Sequence, residues 1–433
     1  MIKKKLTHFH FCCGLGGGAK GFNRAKPIVG SMQAHWECLG GIDVDAAGLR
    51  DFQQLAGVPG TLMDLFTRDQ YIRFHGKEPP SGWQEATPED VRKTAQGKRP
   101  DAVFISSPCK GASGLLSEQL AQTPKYQALN ELTLRCIWLM GEAWADDPVS
   151  LIVFENVPRL ATRGRHLLDQ INSLLGHYGY AVAETTHDCG ELGGLAQSRK
   201  RFLLVARHVE KVPPFLYEPE KKTLRAVGDI LGRMPLPGDI ETGGPMHRIP
   251  SLQWKTWVRL ALVRAGSDWR SLNELAIEDG YLRDLVIVPE YHHGYLGVHG
   301  WGDTSGTIAG ASGPTNGAFS VADPRIPAAG DRLTCIIRSL DGTWHRPFTT
   351  LEKAALQSLV EPEEQLILDG LSDKDWSERI GNAVPPAAAE AIAHVMGTTL
   401  LLAAQGETFM LSMLPIWVRQ VGVGLSVSQV SNS

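Results

Sequence analysis

In the stretch ISSPCKGAS, residues 105–113, a cysteine directly follows a proline, between an apolar run and a loop of small residues. A structural cysteine prefers an apolar interior, where its thiol stays protonated and inert. Cys109 instead stands where a strand should end and a loop begin, a setting in which reactive groups concentrate. Further along, FENVPRL places Glu155 and Asn156 at the end of another apolar run, and AQSRKRFLLVA carries Arg199 and Arg201 just ahead of a third. Extended chain turns alternate residues to one side, so these two guanidinium groups can converge while Lys200 points away. A thiol, a carboxyl group and two forked cations can therefore share one pocket, as a nucleophile with groups that relieve charge on its target. Each has a bland alternative when taken singly: a strand-end glutamate is often a helix cap, and paired arginines are often a solvated face. Their order along the chain favours the shared pocket.

A second set of residues could hold a ligand. FCCGLGGGAKGF places Gly14, Gly16, Gly17 and Gly18 between a predicted strand and a predicted helix. Glycines there let the backbone approach a ligand closely and aim amides at it. GGIDVD ends the next strand with Asp43 and Asp45, and LMDLF puts Asp64 at the end of the one after. A carboxylate at the first position suits ribose hydroxyls; one at the second suits an adenine amino group. That set fits a nicotinamide dinucleotide and S-adenosylmethionine alike.

Positioning such groups takes a particular scaffold. From Leu6 to about Arg207, short apolar strands (THFHF, CLGGIDVD, PDAVFISS, SLIVFENV, RFLLVARH) alternate with helical stretches. This predicts an α/β, Rossmann-like core: a parallel sheet with helices on both faces, strand ends meeting at one crevice. Residues 208–342 are rich in Gly and Pro and predict an inserted, smaller, irregular β-rich lobe. The core, residues 1–207, is then completed by residues 343–405, and a tail follows at 406–433. The 433 residues, 43% hydrophobic and 21% charged, suit a soluble protein with a substantial core. A net charge of -4 gives no global positive field, although a local basic groove is compatible with it. Seven cysteines, an odd number with no CxxC pair, argue against a disulfide framework or a zinc cluster. No membrane-length apolar run is expected, and a reducing cytoplasm is the default.

In this order the motifs resemble those of the DNA (cytosine-5) methyltransferases. CGLGGG resembles the family's cofactor loop, SSPCKGAS its Pro-Cys loop, FENV its Glu-Asn-Val motif and QSRKR its Gln-x-Arg-x-Arg motif. RPFTTLEKAALQSLV resembles the helix after the recognition region, and GNAVPPAAAEAIA the closing motif. The resemblance spans about residues 6 to 400 and implies the S-adenosylmethionine-dependent methyltransferase fold, with target recognition in the inserted lobe. It implies that Cys109 adds to C6 of a flipped-out cytosine and that Glu155 hydrogen-bonds N3. Arg201 is then expected to hold the base O2 edge, and Arg199 to orient the thiolate or a phosphate. The implied cofactor contacts are Phe11, Gly14, Gly16, Gly17, Asp43, Val44, Asp64, Leu65, Pro108, Asn382 and Val384. The implied DNA contacts are Lys110, Ser113 and Thr307, with Gly111 and Gly114 as loop hinges and Lys125 near a phosphate. His292, His293, Asn316 and Arg325 are polar candidates in the lobe, for which a solvated loop is the stronger reading.

The chain departs from the family pattern at several points. Lys110 replaces a usual glutamine and could lower the thiol pKa or bind a phosphate. Ala112 replaces an aromatic. The doubled Cys12-Cys13 shifts Phe11 by one residue from the adenine-stacking position, and Val44 stands where an aromatic is common. Expected partners are double-stranded DNA and S-adenosylmethionine, with no metal and no membrane, in a monomer of a bacterial or phage-infected cytoplasm at the nucleoid. The rivals are a tRNA or RNA cytosine-5 methyltransferase, whose tRNA-specific Cys-Phe-Thr signature the recognition lobe lacks, and a catalytically silent DNA-binding relative. A nicotinamide dehydrogenase would leave the Pro-Cys and Glu-Asn-Val motifs unexplained.

Overall fold

The computed structural model describes residues 1–108, 119, 123–274, 294–328, 336–406 and 415–418. Eight strands form the main sheet: β1 Ile2–Phe11, β2 Ile28–Val29, β3 Met32–Asp43, β4 Thr61–Leu62, β5 Ala102–Ile105, β6 Leu151–Asn156, β7 Tyr180–Asp188 and β8 Lys200–His208. Their spatial order is β2-β3-β1-β5-β6-β8-β7, with β4 beside β3. β3, β1, β5 and β6 run parallel, as alternation of strands and helices predicts.

The far edge differs from the expected all-parallel sheet, because β8 runs antiparallel to both β6 and β7. Asp188 explains the reversal. Its carboxylate caps the helix Cys189–Gly193 through Gly190 N at 2.8 Å, and also accepts from Arg199 N at 2.7 Å and Ser198 Oγ at 2.5 Å. The connection thus folds on itself and returns the chain beside β7 with no crossover. The functional consequence is large. A parallel β8 would begin at the opposite edge of the sheet from Glu155. The antiparallel one pairs Asn156 with Phe202 and Glu155 with Leu203, so the start of β8 meets the end of β6.

Strand alternation divides the core in two. Phe9, Phe11, Val103, Ile105, Ile152 and Phe154 face the helices Pro124–Ala143 and Arg165–His177. Phe104, Leu151, Val153, Leu203 and Val205 face the other way, against Phe22 and the helix Pro386–Ala404. The stretch Asp373–Ala404 has the length and apolar character of a membrane span, contrary to expectation. Its Ala388, Ala389, Ile392, Ala393 and Met396 are nevertheless buried against the sheet, so the apolar face serves the core.

Beyond β8 come short helices, turns and a three-stranded sheet of β9 Val298–His299, β10 Ser320–Asp323 and β11 Trp344–Pro347. β11 lies past residue 342, so this small sheet extends beyond the expected lobe boundary. A third apolar cluster, including Ile230, Ile308, Val321, Phe348, Leu351 and Trp376, joins the lobe to the returning chain. At its heart Arg346, fully buried, pairs with Asp323 and Glu352, both at 2.7 Å. From the tail, residues 415–418 dock on the core: Trp417 is buried, and its indole N–H donates to Thr185 Oγ1 at 3.1 Å.

Candidate active site

The segment leading to Cys109 is tied down on three sides. Ser106 N donates to Phe11 O at 3.2 Å and Ser106 Oγ to Cys12 O at 2.9 Å, fixing it to the end of β1. Ser107 shares a 2.5 Å hydroxyl–hydroxyl bond with Thr133 on the helix Pro124–Ala143. Asn156 Nδ2 donates to Ser107 O at 3.1 Å, while Asn156 Oδ1 accepts from Val157 N at 2.8 Å. The asparagine beside Glu155 is thus the clamp between β6 and the chain two residues ahead of Cys109. Its place in FENV is visible in the sequence; that contact is not. Pro108 is half-buried. Cys109, Lys110, Gly111, Ala112, Ser113 and Gly114, with His292 and His293, lie outside the described residues.

Glu155 and Arg201 meet as expected. Arg201 Nε lies 2.8 Å from Glu155 Oε1, with side chains only 13% and 11% exposed, in the order Arg201, Glu155. A carboxylate held by a guanidinium, nearly out of water yet still reachable, is oriented for hydrogen bonding to a polar ring edge.

Arg199 lies on the same side of β8, but its guanidinium is engaged elsewhere. Nη1 donates to Ile308 O at 2.8 Å, and Nη2 to Gly381 O at 2.7 Å and Ala383 O at 3.1 Å. Burial, reinforced by the nearby Arg201, pulls its pKa down to about 9. The expected role in orienting a thiolate or phosphate is replaced by a buried strut between core, lobe and closing motif. Gln197 Oε1 supports the same joint by accepting from Ile308 N at 2.8 Å. Thr307, exposed, donates its hydroxyl to Ser198 O at 3.1 Å, which stitches the TSGTI segment to the QSR segment. Arg325 is taken up by Asp323 at 2.9 Å and by stacking over Trp301, whereas Asn316 is exposed. Lys125 is exposed and sits over the Phe74 ring, 5.2 Å from its centroid.

On the other side of Ser106, the ends of β1 and β3 build a cradle. Gly14 N donates to Asp43 Oδ2 at 2.8 Å, and Asp43 Oδ1 accepts from Val44 N at 2.7 Å and Asp45 N at 3.0 Å. Asp43 Oδ2, which accepts one bond, keeps further acceptor capacity for a hydroxyl. Gly14, at φ +52°, opens into free space, whereas a Cβ on Gly17 would lie 2.3 Å from Val384 O. The closing motif therefore packs directly on the loop. Val44 is 66% exposed and Asn382 is exposed; Val384 is buried. Gly16 takes the left-handed conformation at φ +93°, ahead of the helix Gly17–Arg24. Asp64 accepts from Phe66 N at 2.9 Å and from the indole of Trp83 at 3.4 Å. Trp83, in the irregular stretch PPSGW, gave no periodic signal in the sequence.

Two expected cofactor contacts are corrected. Phe11 is completely buried, packed edge-on against Phe9, and cannot stack on a ligand. Leu65 is likewise buried in the core, at 4% exposure. The residue after Phe11, Cys12, takes the position at the loop with φ +52°. A thiol–thiol hydrogen bond with Cys136, together with burial, holds its pKa well above the ordinary value. The cradle fits an adenosyl group: carboxylates for hydroxyls, an exposed valine, and an open glycine backbone.

The profile of the C-5 cytosine-specific DNA methylases matches residues 81–398, and the chain belongs to that family. The family implies S-adenosylmethionine as methyl donor. Among solved structures, the Entamoeba histolytica methyltransferase EhMeth is similar at TM-score 0.56 and 13% identity, covering 91% of this chain and 98% of that one. S. pombe Dnmt2 methyltransferase gives 0.53 and 13%, over 93% and 99% of the two chains. A prophage-encoded E. coli protein described as a DNA modification methyltransferase gives 0.54 and 14%, over 92% and 99%. At these identities the likeness is one of fold. No curated protein matches the chain.

Proposed function

We propose that this chain methylates C5 of cytosine in duplex DNA through a transient bond between Cys109 and C6 of a flipped-out base. The observation that carries the reading is the Glu155–Arg201 pair, set at the strand end that Asn156 clamps to the approach to Cys109. Cytosine C5 is a poor nucleophile until a thiolate adds to C6 and makes the ring an enamine. Bound S-adenosylmethionine supplies an electrophilic methyl group. Glu155, in its protonated form, donates to N3 and hands its proton over as the thiolate adds, which neutralises the negative charge developing on the ring, while Arg201 keeps that carboxyl group aimed and meets the O2 edge. Asp43 and the Gly14 backbone hold the adenosyl part, with Asp64 facing the adenine amino group. Loss of the C5 proton, followed by departure of the thiolate, restores the aromatic ring. The base leaves the duplex to reach these groups.

Tritiated donor and mixed-sequence duplex DNA test the reading: label is expected on cytosine from the wild type and none from Cys109→Ser. DNA containing 5-fluorocytosine is expected to trap a covalent adduct, which a silent binding relative cannot form. Label appearing on tRNA in preference to duplex DNA would move the substrate from DNA to RNA.

A further inference from the structure

Beneath the cradle, on the sheet face covered by the helices Gly17–Arg24 and Pro386–Ala404, two histidines and a cysteine gather inside the core. His8 and His10, alternate residues of β1, point to the same side as Cys38, which is the register partner of His8 on β3. Their exposures are 0%, 3% and 2%. One donor atom from each, two ring nitrogens and a sulfur, lie within 4.8 Å of one another. Around them are Phe22, Trp36 and Phe104, with the Phe104 ring stacked on His10 at 5.5 Å.

The hydrogen bonds fix which lone pairs face inward. Asn23 Nδ2 donates to Ala56 O at 2.8 Å, so its carbonyl oxygen faces His8 Nε2 at 2.9 Å and must accept from it. His8 therefore carries its proton on Nε2 and leaves Nδ1 bare. That lone pair is directed at His10 Nε2, 2.8 Å away. An outer hydrogen bond that sets the tautomer of an imidazole and turns its lone pair inward is the usual support of a metal-binding histidine. An apolar pair would fill the same space without desolvating three polar groups.

We propose that His8 Nδ1, His10 Nε2 and Cys38 Sγ form a three-coordinate site for a monovalent thiophilic cation, copper(I). Thiolate and imidazole ligands suit soft, late transition metals. Charge selects the monovalent ion. On binding, the Cys38 S–H proton leaves to solvent, the His10 proton moves from Nε2 to Nδ1 beside Gly18, and two Cu–N bonds and one Cu–S bond form. Thiolate plus Cu⁺ is neutral, whereas thiolate plus Zn²⁺ leaves a net positive charge in a site with almost no exposure, and zinc also seeks a fourth ligand. The cation would staple β1 to β3 under the glycine loop.

Anaerobic titration of the full-length chain with Cu(I) against the chromophoric chelator bicinchoninate tests this without donor or DNA, so its result is independent of methyl transfer. The wild type and Cys12→Ala/Cys13→Ala are expected to withdraw one equivalent, and Cys38→Ala and His10→Phe to bind at least about 100-fold more weakly. X-ray absorption on wild-type protein, which depends on no variant folding, is expected to show one sulfur and two imidazole nitrogens at copper. Equal affinity in Cys38→Ala, more than one sulfur at the metal, or displacement of Cu(I) by equimolar Zn²⁺ overturns the proposal.

Discussion

In the proposed mechanism Glu155 acts by both charge and proton. A Glu155→Gln substitution keeps shape and one acceptor for Arg201 but removes the negative charge opposite it and the group that, in the proposed mechanism, carries a proton to N3. The expected result is a fall of about 10² to 10⁴-fold in single-turnover methyl transfer, with DNA affinity changed far less. An equal fall in both would mean that the residue only shapes the pocket. His8 gives a second prediction of a different kind. Its folded pKa, about 4, lies below its unfolded value of 6.5. Between these values the unfolded chain binds a proton that the folded one does not. Stability therefore rises with pH across this window and is lost as pH falls from about 6.5 to 4, by up to about 3 kcal/mol from this residue. Urea unfolding at pH 7, 6 and 5 is expected to show that slope, and His8→Phe to flatten it.

At the level of elements, Arg199 is the joint on which the lobe segment at Ile308 and the closing stretch at Gly381 and Ala383 are both hung. Arg199→Leu leaves the carbonyls of Ile308, Gly381 and Ala383 buried without their donor, at a cost of about 2 to 4 kcal/mol. The expected signature is faster proteolysis in the lobe together with weaker donor binding, because Val384 against Gly17 shares the strut. Unchanged donor binding would show that the closing motif is held by other contacts. The same residue marks how far the sequence could be read. Strand ends, the acids at Asp43 and Asp64, and the approach of Glu155 and Arg201 to one pocket were legible because apolar runs and motif order locate them, although their direct ion pair was not. The use of Arg199 was not: alternation tells which side a side chain faces, but not which carbonyls are waiting there from residues more than 100 positions away. The reversal of β8 was equally hidden, since it depends on the hydrogen bonds of Asp188 and not on any periodic pattern. Phe11 misled because a motif fixes residue order, while a doubled cysteine moves the ring into the strand and thus into the core.

Across the whole molecule, a net charge of -4 repels a polyanion at long range, so the proposed binding of DNA would rest on local cations that the total conceals. Most arginines on the described surface are already paired, among them Arg50 with Asp369, Arg165 with Glu184 and Arg233 with Glu363. Arg159 and, among the lysines, Lys200 are exposed and form no ion pair among the described residues. Each also stands next to the catalytic pair in sequence: Arg159 four positions past Glu155, Lys200 one before Arg201. On the proposed reading, an exposed cation that forms no ion pair among the described residues and adjoins Glu155 or Arg201 in sequence is available for phosphates outside the base pocket, Lys200 from the opposite side of its strand to Arg201. Each phosphate contact releases condensed counterions and adds about 0.9 to the slope of log affinity against log salt. The double variant Arg159→Ala/Lys200→Ala is therefore expected to lower that slope by about 2, weakening all DNA sequences alike while leaving the ratio between preferred and other sites unchanged. Fluorescence anisotropy with labelled duplex at several salt concentrations measures both quantities. An unchanged slope would place the electrostatic contact on other residues, and a changed ratio would show that one of the two reads bases.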